Sequence, residues 1–212
     1  MDSFARHDDY DRDTLDIGDV DPDPLVQFRA WLTAAEVAGV PEPNAMVLST
    51  VSEDGRPTSR TVLLKGIVEG RFEFVTNDGS RKGRALTHEA RVALAFPWYP
   101  LQRQALIDGD VVRAPAELSD RYWSSRPRGS QVSAWASDQS APVLSRAELE
   151  RQARAAEERF AGVTDIPRPP HWGAWLVRPV RIEFWQGRPS RLHDRIVYSP
   201  DGDDWRIERL QP

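Results

Sequence analysis

Residues 182–195 combine side chains that suit a ligand that is both flat and anionic. The segment reads Ile-Glu-Phe-Trp-Gln-Gly-Arg-Pro-Ser-Arg-Leu-His-Asp-Arg, with two aromatic rings, three arginines and one histidine. Aromatic rings can enclose a planar ligand, and a guanidinium can form paired hydrogen bonds with a phosphate. A buried strand does not need three arginines, and a solvated loop does not need the apolar half. The segment therefore predicts a site for a phosphorylated ring compound.

Two further segments pair cationic with aromatic or apolar side chains. Residues 122–131 read Tyr-Trp-Ser-Ser-Arg-Pro-Arg-Gly-Ser-Gln and offer a phenol, a guanidinium and a hydroxyl as donors to a phosphate. Residues 60–65 read Arg-Thr-Val-Leu-Leu-Lys. Because side chains alternate along a strand, Arg60 and Lys65 should point to opposite faces. Residues 60–65 therefore form either an edge strand with charged ends or a strand between two anion sites.

A fourth basic segment, Asn-Asp-Gly-Ser-Arg-Lys at residues 77–82, has the composition of a helix start. Backbone N–H groups at a helix N-terminus attract anions, and Arg81 and Lys82 add positive charge there. Taken alone, the segment is either an anion site or an ordinary capped surface helix. The occurrence of four such basic segments in one chain favours phosphate binding.

The amino-acid composition excludes several kinds of protein and of functional site. The 212 residues are sufficient for one domain with a substantial core. The absence of cysteine excludes disulfides, thiolate metal sites and thiol catalysis, and the four histidines are too scattered to predict a metal site. The chain has no apolar run of about eighteen residues and no basic-then-apolar leader, so we expect a soluble cytoplasmic protein without membrane contact.

Charge is distributed unevenly along the chain. Residues 1–24 hold nine aspartates against Arg6 and Arg12, whereas the remainder carries slightly more basic than acidic residues. A body with so balanced a charge does not predict nucleic-acid binding. The aspartate-rich start is either a flexible, solvated arm or an arm that folds over a basic site. We expect an acidic, flexible arm over residues 1–22 and a single domain over residues 23–212.

Turn and cap signals divide the body into many short strands and a few helices. Asp23 and Pro24 form a helix start, and Ser145 with Glu148 forms a capping box for another helix. Two shorter helices are expected at residues 77–86 and from residue 119 to about 125. Strands are expected at residues 45–51, 59–67, 71–76, 92–96, 104–107, 111–118, 174–184, 192–198 and 205–210. This pattern predicts a mainly β protein, a barrel with helical additions.

An ordered series of motifs makes the chain similar to a known family. The motifs are Asn-Ala-Met-Val at 44–47, Arg-Thr-Val-Leu-Leu-Lys at 60–65, Thr-Asn at 76–77, Ser-Arg-Lys at 80–82, Arg-Gln at 103–104, Ser-Arg-Pro-Arg-Gly-Ser-Gln at 125–131, Ala-Trp-Ala-Ser at 134–137, Gln-Ser at 139–140, Trp-Gly at 172–173, Glu-Phe-Trp-Gln-Gly-Arg at 183–188, Arg-Leu-His-Asp-Arg at 191–195 and Arg-Leu-Gln-Pro at 209–212. From residue 23 to residue 212 the sequence resembles the pyridoxine/pyridoxamine 5′-phosphate oxidase family, FMN enzymes of the flavin split-barrel fold. The Arg-Leu-His-Asp-Arg motif is the most specific piece of the resemblance.

The resemblance implies an FMN-binding split β-barrel that forms a homodimer with FMN at the interface. It implies that Arg191 and His193 are the catalytic side chains, near the carbon that is oxidised. The implied cofactor contacts are Arg60, Thr61, Val62, Leu63, Leu64, Lys65, Val75, Thr76, Arg81, Lys82, Gln104, Gln139, Ser140, Trp185 and Arg195, with Arg60, Arg81 and Lys82 near the FMN phosphate. The implied substrate contacts are Lys65, Tyr122, Arg126, Ser130, Arg191, Leu192 and His193, of which the first four hold the substrate phosphate.

The activity implied by the resemblance is oxidation of pyridoxamine or pyridoxine 5′-phosphate to pyridoxal 5′-phosphate, with O2 as acceptor and H2O2 as product. Two alternatives are a related oxidase of phenazine-type biosynthesis and a flavin or pyridoxal-phosphate binding protein without turnover. The four phosphate-binding side chains argue against the first, and Arg191 and His193 argue against the second. The sequence departs from the family at Val75, where many members have tyrosine. It also has His-Asp-Asp-Tyr at residues 7–10, where members often have Arg-Arg-x-Tyr over the substrate.

Overall fold

The part of the chain that the structure describes contains nine strands and five α-helices. The structure, a computed structural model, describes Phe4 and residues 9–212. The helices are α1 (Pro24–Val37), α2 (Arg81–His88), α3 (Ala116–Ser125), α4 (Arg128–Ala136) and α5 (Arg146–Arg159). The strands are β1 (Ala45–Val51), β2 (Pro57–Leu63), β3 (Gly66–Val68), β4 (Arg71–Asn77), β5 (Arg91–Trp98), β6 (Arg103–Arg113), β7 (Trp172–Gln186), β8 (Asp194–Asp201) and β9 (Asp204–Arg209). Within this range, none of the helices is long and apolar enough to cross a bilayer.

All nine strands belong to one antiparallel sheet that curls into a half-barrel. The strand order is β2-β1-β5-β6-β7-β4-β3, and β8 and β9 extend the sheet from β7. One edge of β7 pairs with β6 over residues 175–186. The other edge pairs with β4 over residues 172–177 and with β8 over residues 182–186. The sheet therefore splits into two branches along β7.

A bulge in β7 makes this split possible. Asp108 and Gly109 are neighbours on β6, but they pair with Arg181 and Pro179, so Val180 is an extra residue on β7. A bulge increases the local twist of a sheet, and proline is tolerated there because its missing N–H is not needed by the ladder. The two ends of β7 thus point into different branches of the sheet.

An aromatic cluster fills the space between α1 and the curled sheet. Phe28 on α1 is fully buried, and its ring centroid lies 5.0 Å from that of Phe72 and 4.8 Å from that of Phe96. Trp98 extends the cluster, with its ring 5.7 Å from Phe96. Full burial of one such apolar side chain contributes on the order of 2–3 kcal/mol. These contacts hold α1 against β4 and β5.

A smaller apolar cluster attaches α3, α4 and α5 to the start of β7. Trp123, Val132, Phe160 and Trp172 are buried in it, and the rings of Trp123 and Trp172 meet edge to face at 5.0 Å. The indole N–H of Trp123 donates to the carbonyl of Ile166 at 2.7 Å, so its polar atom is satisfied. This packing fixes α3 and α4 beside β4.

The mainly β fold with helical additions and the helix caps are confirmed. A carboxylate oxygen of Asp23 accepts the N–H of Leu25 at 2.8 Å, and the hydroxyl oxygen of Ser145 accepts the N–H of Glu148 at 3.1 Å. The strand predicted at residues 45–51 coincides with β1. These features depend on local chemistry, which is why the sequence reveals them.

The single strand predicted at residues 59–67 is wrong, because the chain changes its pairing partner there. The N–H of Leu64 donates to the carbonyl of Asn44 next to β1, whereas the N–H of Lys65 donates to the carbonyl of Glu73 on β4. The segment is therefore two strands, β2 and β3, with a break between them. Strict alternation of side chains does not continue through such a break.

Four other elements also differ from the prediction. The strands predicted at 104–107 and 111–118 are one strand, β6, because the turn-like Asp-Gly-Asp at 108–110 pairs on both sides. Residues 116–118 are helical, so α3 begins before Ser119, and α4 follows Pro127 where no helix was predicted. The strand predicted at 192–198 begins at Asp194, because a 3₁₀ turn occupies Pro189–Arg191.

Gly109 should be essential for the close approach of β6 to the bulge. A Cβ atom at this position would lie 2.5 Å from the carbonyl oxygen of Arg178 and 2.7 Å from Val177. We expect Gly109→Ala to lower the free energy of unfolding by about 1–3 kcal/mol, the usual cost of overpacking. The control is Gly129→Ala in α4, where nothing lies within 4 Å of the added atom and alanine favours the helix. Urea unfolding of both variants measures the difference, and equal stability would contradict the role of Gly109.

Candidate active site

A cavity of about 630 Å³ opens between the end of β2, strand β4 and helices α2 to α4. Most of the predicted cofactor and substrate-phosphate residues line it. They are Thr61, Val62, Leu63, Lys65, Val75, Thr76, Lys82, Tyr122, Arg126, Ser130 and Gln139. The lining also includes six residues that were not predicted as site residues, namely Asn77, Pro127, Ser133, Ala134, Ser137 and Trp172. None of the lining residues, all in the described part of the chain, is acidic.

Three cations lie close together at the α2 end of this first cavity. Lys82 lines it, and its Nζ donates to Oε1 of Gln139 at 3.0 Å. Burial lowers the pKa of Lys82, and the charge of Arg60 lowers it further. Burial likewise lowers the pKa of Arg60, with a further contribution from Arg81. Mutual repulsion among cations favours binding of an anion, which would relieve it.

Arg60 and Arg81 contribute charge without lining the cavity. The guanidinium of Arg60 donates to the carbonyl of Leu48 and the hydroxyl of Thr50, each at 2.9 Å, and to the hydroxyl of Thr58 at 2.5 Å. These bonds fix it within the β1–β2 hairpin. At the start of α2, the hydroxyl oxygen of Ser80 accepts the N–H of Gly83 at 3.1 Å. The helix is therefore capped by its own serine.

At Trp172, the first cavity contains a guanidinium with an unused donor. Arg126 lies over the ring of Trp172 at 4.6 Å and over that of Trp123 at 5.2 Å. Its Nη1 is buried and, in the described part of the chain, is the one buried side-chain nitrogen or oxygen without a hydrogen-bond partner. Burial lowers the pKa of Arg126. A buried donor without a partner costs about 1–3 kcal/mol, so this part of the cavity favours an acceptor such as phosphate.

Lys65 and Tyr122 stand beside Arg126. The Nζ of Lys65 lies 5.2 Å from the ring centroid of Tyr122, and that ring stacks on Trp172 at 6.1 Å. The break between β2 and β3 leaves Lys65 at the cavity wall, because the backbone there belongs to neither strand. Ser130 comes from the first turn of α4. The break between β2 and β3, helix α3 with its C-cap, and helix α4 thus bring the four side chains predicted to bind phosphate to one cavity.

A second cavity, of about 320 Å³, lies on the other branch of the sheet, near the end of β7. It is lined by the predicted residues Gln104, Trp185, Arg191 and His193, together with Asp9, Tyr10 and Arg188. Gln104 on β6, Trp185 on β7 and Arg195 on β8 pair directly across the sheet, so they form one row. This row was not evident from the sequence, because strand register is a tertiary property.

His193 is held in one tautomer. Its Nδ1 accepts the backbone N–H of Arg188 at 3.1 Å, so in the neutral ring the proton is on Nε2. The ring lies 4.6 Å from that of Trp185 and 5.7 Å from that of Tyr10. Burial lowers the pKa of His193, and the charge of Arg191 adds to this effect. Near neutral pH the side chain is therefore a neutral hydrogen-bond donor.

The loop before His193 has an unusual backbone. Ser190 and Arg191 have φ angles of 56° and 62°, a left-handed conformation that ordinary residues rarely adopt. Such strain costs on the order of 1–3 kcal/mol per residue and is concentrated at functional sites. Asp194 stabilises the loop from behind by pairing with Arg188 at 3.4 Å and with Arg209 at 2.6 Å.

The described end of the predicted arm lies against this second cavity. The ring of Tyr10 meets Trp185 edge to face at 5.9 Å, and a Cβ on Gly187 would come within 2.7 Å of Tyr10. Asp13 forms an ion pair with Arg103, and Leu15 is buried in the core. His7 and Asp8 of the His-Asp-Asp-Tyr motif lie outside the described residues.

Several predicted site residues line neither cavity. Leu64 is buried in the main core, whereas Leu192 is 70% exposed. The others are Arg60, Arg81, Ser140 and Arg195. In the described part of the chain, no three His, Asp or Glu side chains form a group that could hold a metal ion.

Two family models match the chain in sequence order. Residues 32–161 match a model described as pyridoxamine 5′-phosphate oxidase. Residues 172–212 match one described as the pyridoxine 5′-phosphate oxidase C-terminal dimerisation region. The chain belongs to the pyridoxine/pyridoxamine 5′-phosphate oxidase family. It is accordingly an oxidoreductase of that family.

Relatives with this family name are similar along nearly the whole chain. The pyridoxine/pyridoxamine 5′-phosphate oxidase of Rubrobacter xylanophilus is 53% identical over 204 residues, 96% of this chain and 94% of its own length. The protein of the same name from Burkholderia lata is 52% identical over 206 residues, 96% of this chain and 95% of its own length.

Solved structures show the same split-barrel fold. PhzG from Burkholderia lata, in complex with tetrahydrophenazine-1-carboxylic acid, has a TM-score of 0.86 and 33% identity, covering 94% of this chain and 98% of that one. A pyridoxamine 5′-phosphate oxidase-related, FMN-binding protein from Nostoc punctiforme has a TM-score of 0.71 and 17% identity. The similarity covers 91% of this chain and 100% of that one. The second similarity concerns the fold alone.

The environment of His193 predicts how its imidazole titrates. Its pKa should lie below the ordinary value of 6.5, because burial and Arg191 both disfavour the imidazolium. Stability should therefore fall as the pH drops from 6.5 through the lowered pKa, since the unfolded chain binds the proton more readily. We expect Arg191→Gln to raise this pKa, and Arg206→Gln on β9 to leave it unchanged. NMR titration of the imidazole tests both, and a pKa indifferent to Arg191 would contradict the assignment.

Proposed function

We propose that this protein is an FMN-dependent oxidase that converts pyridoxamine or pyridoxine 5′-phosphate into pyridoxal 5′-phosphate. O2 is the electron acceptor and H2O2 the product. The observation that carries the proposal is the buried, partnerless Nη1 of Arg126, in a cavity with further phosphate donors and no acidic lining. The names of the relatives at about 50% identity support the same substrate class.

The reaction balances for both substrates. Oxidation of the amine consumes one water and one O2, and yields the aldehyde, ammonia and H2O2. Oxidation of the alcohol consumes one O2 and yields the aldehyde and H2O2, without water. In each case a C–H bond at the 4′ carbon breaks and two electrons leave the substrate.

The residues present fit FMN. The cation cluster of Arg60, Arg81 and Lys82 suits a single phosphate, whereas FAD needs space for an adenylate and the chain has no Gly-x-Gly-x-x-Gly fingerprint. The proposed cofactor residues in the first cavity are Thr61, Val62, Leu63, Val75, Thr76, Lys82 and Gln139, and those on the other branch are Gln104, Trp185 and Arg195. When bound, FMN supplies the redox chemistry.

The separation of the two cavities supports a homodimer with shared sites. Trp172 and Trp185 line different cavities at opposite ends of β7, which has 15 residues. At about 3.3 Å per residue, the path along this strand is roughly 40–50 Å, longer than a mononucleotide. We infer that the first cavity of one protomer meets the second cavity of its partner. The match of residues 172–212 to a dimerisation region supports this arrangement.

The side chains have distinct proposed roles. Lys65, Tyr122, Arg126 and Ser130 anchor the substrate phosphate and so orient the ring. The guanidinium of Arg191 stabilises the charge that develops in the transition state of the oxidation. His193 donates a hydrogen bond through Nε2–H, since its Nδ1 is engaged by the backbone. Its lowered pKa disfavours uptake of a second proton, so we do not assign His193 the role of a strong base.

A phenazine-type oxidase is a second candidate, supported by the similarity to PhzG. The four side chains proposed to bind the substrate phosphate argue against it, because a carboxylic acid substrate without phosphate does not require those donors.

The purified protein should show flavin absorption and release H2O2 from pyridoxamine 5′-phosphate. Unphosphorylated pyridoxamine is the matched control substrate and should be used far less efficiently. Turnover of tetrahydrophenazine-1-carboxylic acid alone would replace the first proposal with the second, and a colourless protein that cannot bind FMN would contradict both.

Arg126 and Arg191 should affect different kinetic constants. Arg126→Met should raise KM by roughly 10- to 150-fold with little change in kcat, since loss of a charged hydrogen bond costs about 1.5–3 kcal/mol in ground and transition state alike. Arg191→Met should instead lower kcat by about 100- to 1000-fold, because its charge acts in the transition state. Arg154→Met, on the exposed face of α5, is the control. Equal losses of kcat in the first two variants would show that these roles are wrong.

A further inference from the structure

Glu183 is a buried carboxylate that the proposed reaction does not use. Its side chain is 2% exposed, and it lies two residues before Trp185 on the same face of β7. One oxygen accepts the Nε–H of Arg195 at 2.7 Å. The other accepts from Nη2 of Arg195 at 3.1 Å and from Nη2 of Arg181 at 2.5 Å. Both oxygens are therefore occupied by guanidinium groups.

Arg195 is held from two sides. Glu183 binds it in a bidentate manner, and its Nη1 donates to the backbone carbonyl of Gln211 at 3.0 Å. These bonds use three of the five N–H groups of a guanidinium, as far as the described residues show. The remaining two are free to meet a ligand on the face that Arg195 shares with Trp185 and Gln104.

The two arginines keep the buried carboxyl group of Glu183 ionised. Burial raises the pKa of Glu183, but hydrogen bonds from Arg195 and Arg181 outweigh it, and the net pKa is lowered. The carboxylate is thus ionised, and its hydrogen bond raises the pKa of Arg195. Burying a carboxylate is costly, and one arginine would already neutralise it. The second arginine, Arg181, also pairs with Asp108 at 3.5 Å, so the two arginines and the two carboxylates of the cluster balance in charge.

We infer that Glu183 is a positioning residue that fixes the guanidinium of Arg195 for binding FMN. A free arginine side chain loses conformational freedom when a ligand immobilises it, and this loss weakens binding. Because Glu183 and Gln211 already hold Arg195, this cost is met during folding. The inference rests on the proposed function, in which Arg195 contacts FMN.

The test compares FMN affinity in single and double variants. The apo-protein of each variant is titrated with FMN, and the dissociation constant is read from quenching of flavin fluorescence. Glu183→Gln should weaken FMN binding about tenfold, since it removes the charge but retains the shape. In the Arg195→Met background the same substitution should produce no further weakening. Glu208→Gln is the control, because Glu208 also pairs with an arginine two residues away, Arg206, but on the exposed strand β9.

A second readout separates positioning from a general effect on folding. At saturating FMN, the visible circular dichroism of the flavin should change in Glu183→Gln and remain unchanged in Glu208→Gln. The melting temperature of each apo-protein is measured alongside. If Glu183→Gln does not fold, Glu183→Asp keeps the charge but shortens its reach, and the same cycle with Arg195→Met applies.

The outcomes distinguish this inference from the proposed function. If Arg195→Met leaves FMN affinity unchanged, the cofactor role of Arg195 is wrong and the inference fails with it. If Arg195→Met weakens binding but Glu183→Gln does not, the proposed function stands and the inference is overturned. Equal weakening by Glu183→Gln in both backgrounds would also overturn it, because Glu183 would then act independently of Arg195.

Discussion

The pairing of β7 is the constraint on which the rest of the structure depends. One edge of this strand stays with β6, while the other passes from β4 to β8 across the bulge at Val180. The strand therefore belongs to two branches of one sheet. Its first residue, Trp172, forms a wall of the first cavity, and Trp185 near its end forms a wall of the second. The separation of the two parts of the site follows from this single strand.

Electrostatics distinguishes the first cavity from the rest of the molecule. The chain as a whole carries a net charge of −5, yet no acidic side chain lines this cavity. Lys82 and Arg126 both line it, and burial lowers the pKa of each. Buried cations in a cavity without an acidic lining residue favour the binding of anions. Aromatic stacking keeps the guanidinium of Arg126 in place where no carboxylate could do so without neutralising it.

The second branch of the sheet uses hydrogen bonds to fix the orientation of its functional groups. His193 is held by the backbone of Arg188, and Arg195 is held by Glu183 and the carbonyl of Gln211. Groups held in this way need little rearrangement when a ligand arrives. The left-handed backbone at Arg191 is part of the same arrangement, because the surrounding ion pairs of Asp194 offset its cost.

The sequence by itself determined the features that depend on neighbouring residues: the cap of Asp23, the mainly β character, the basic segments and the family motifs. Only the tertiary structure decided how these features combine. The break at Lys65 arises because one segment pairs with two different strands, and the continuity of β6 through Gly109 arises because both of its edges are paired. The tautomer of His193 and the bidentate pairing of Glu183 likewise depend on strand register and loop closure. Such long-range pairing is not encoded in local composition, since it depends on which distant backbone groups find each other.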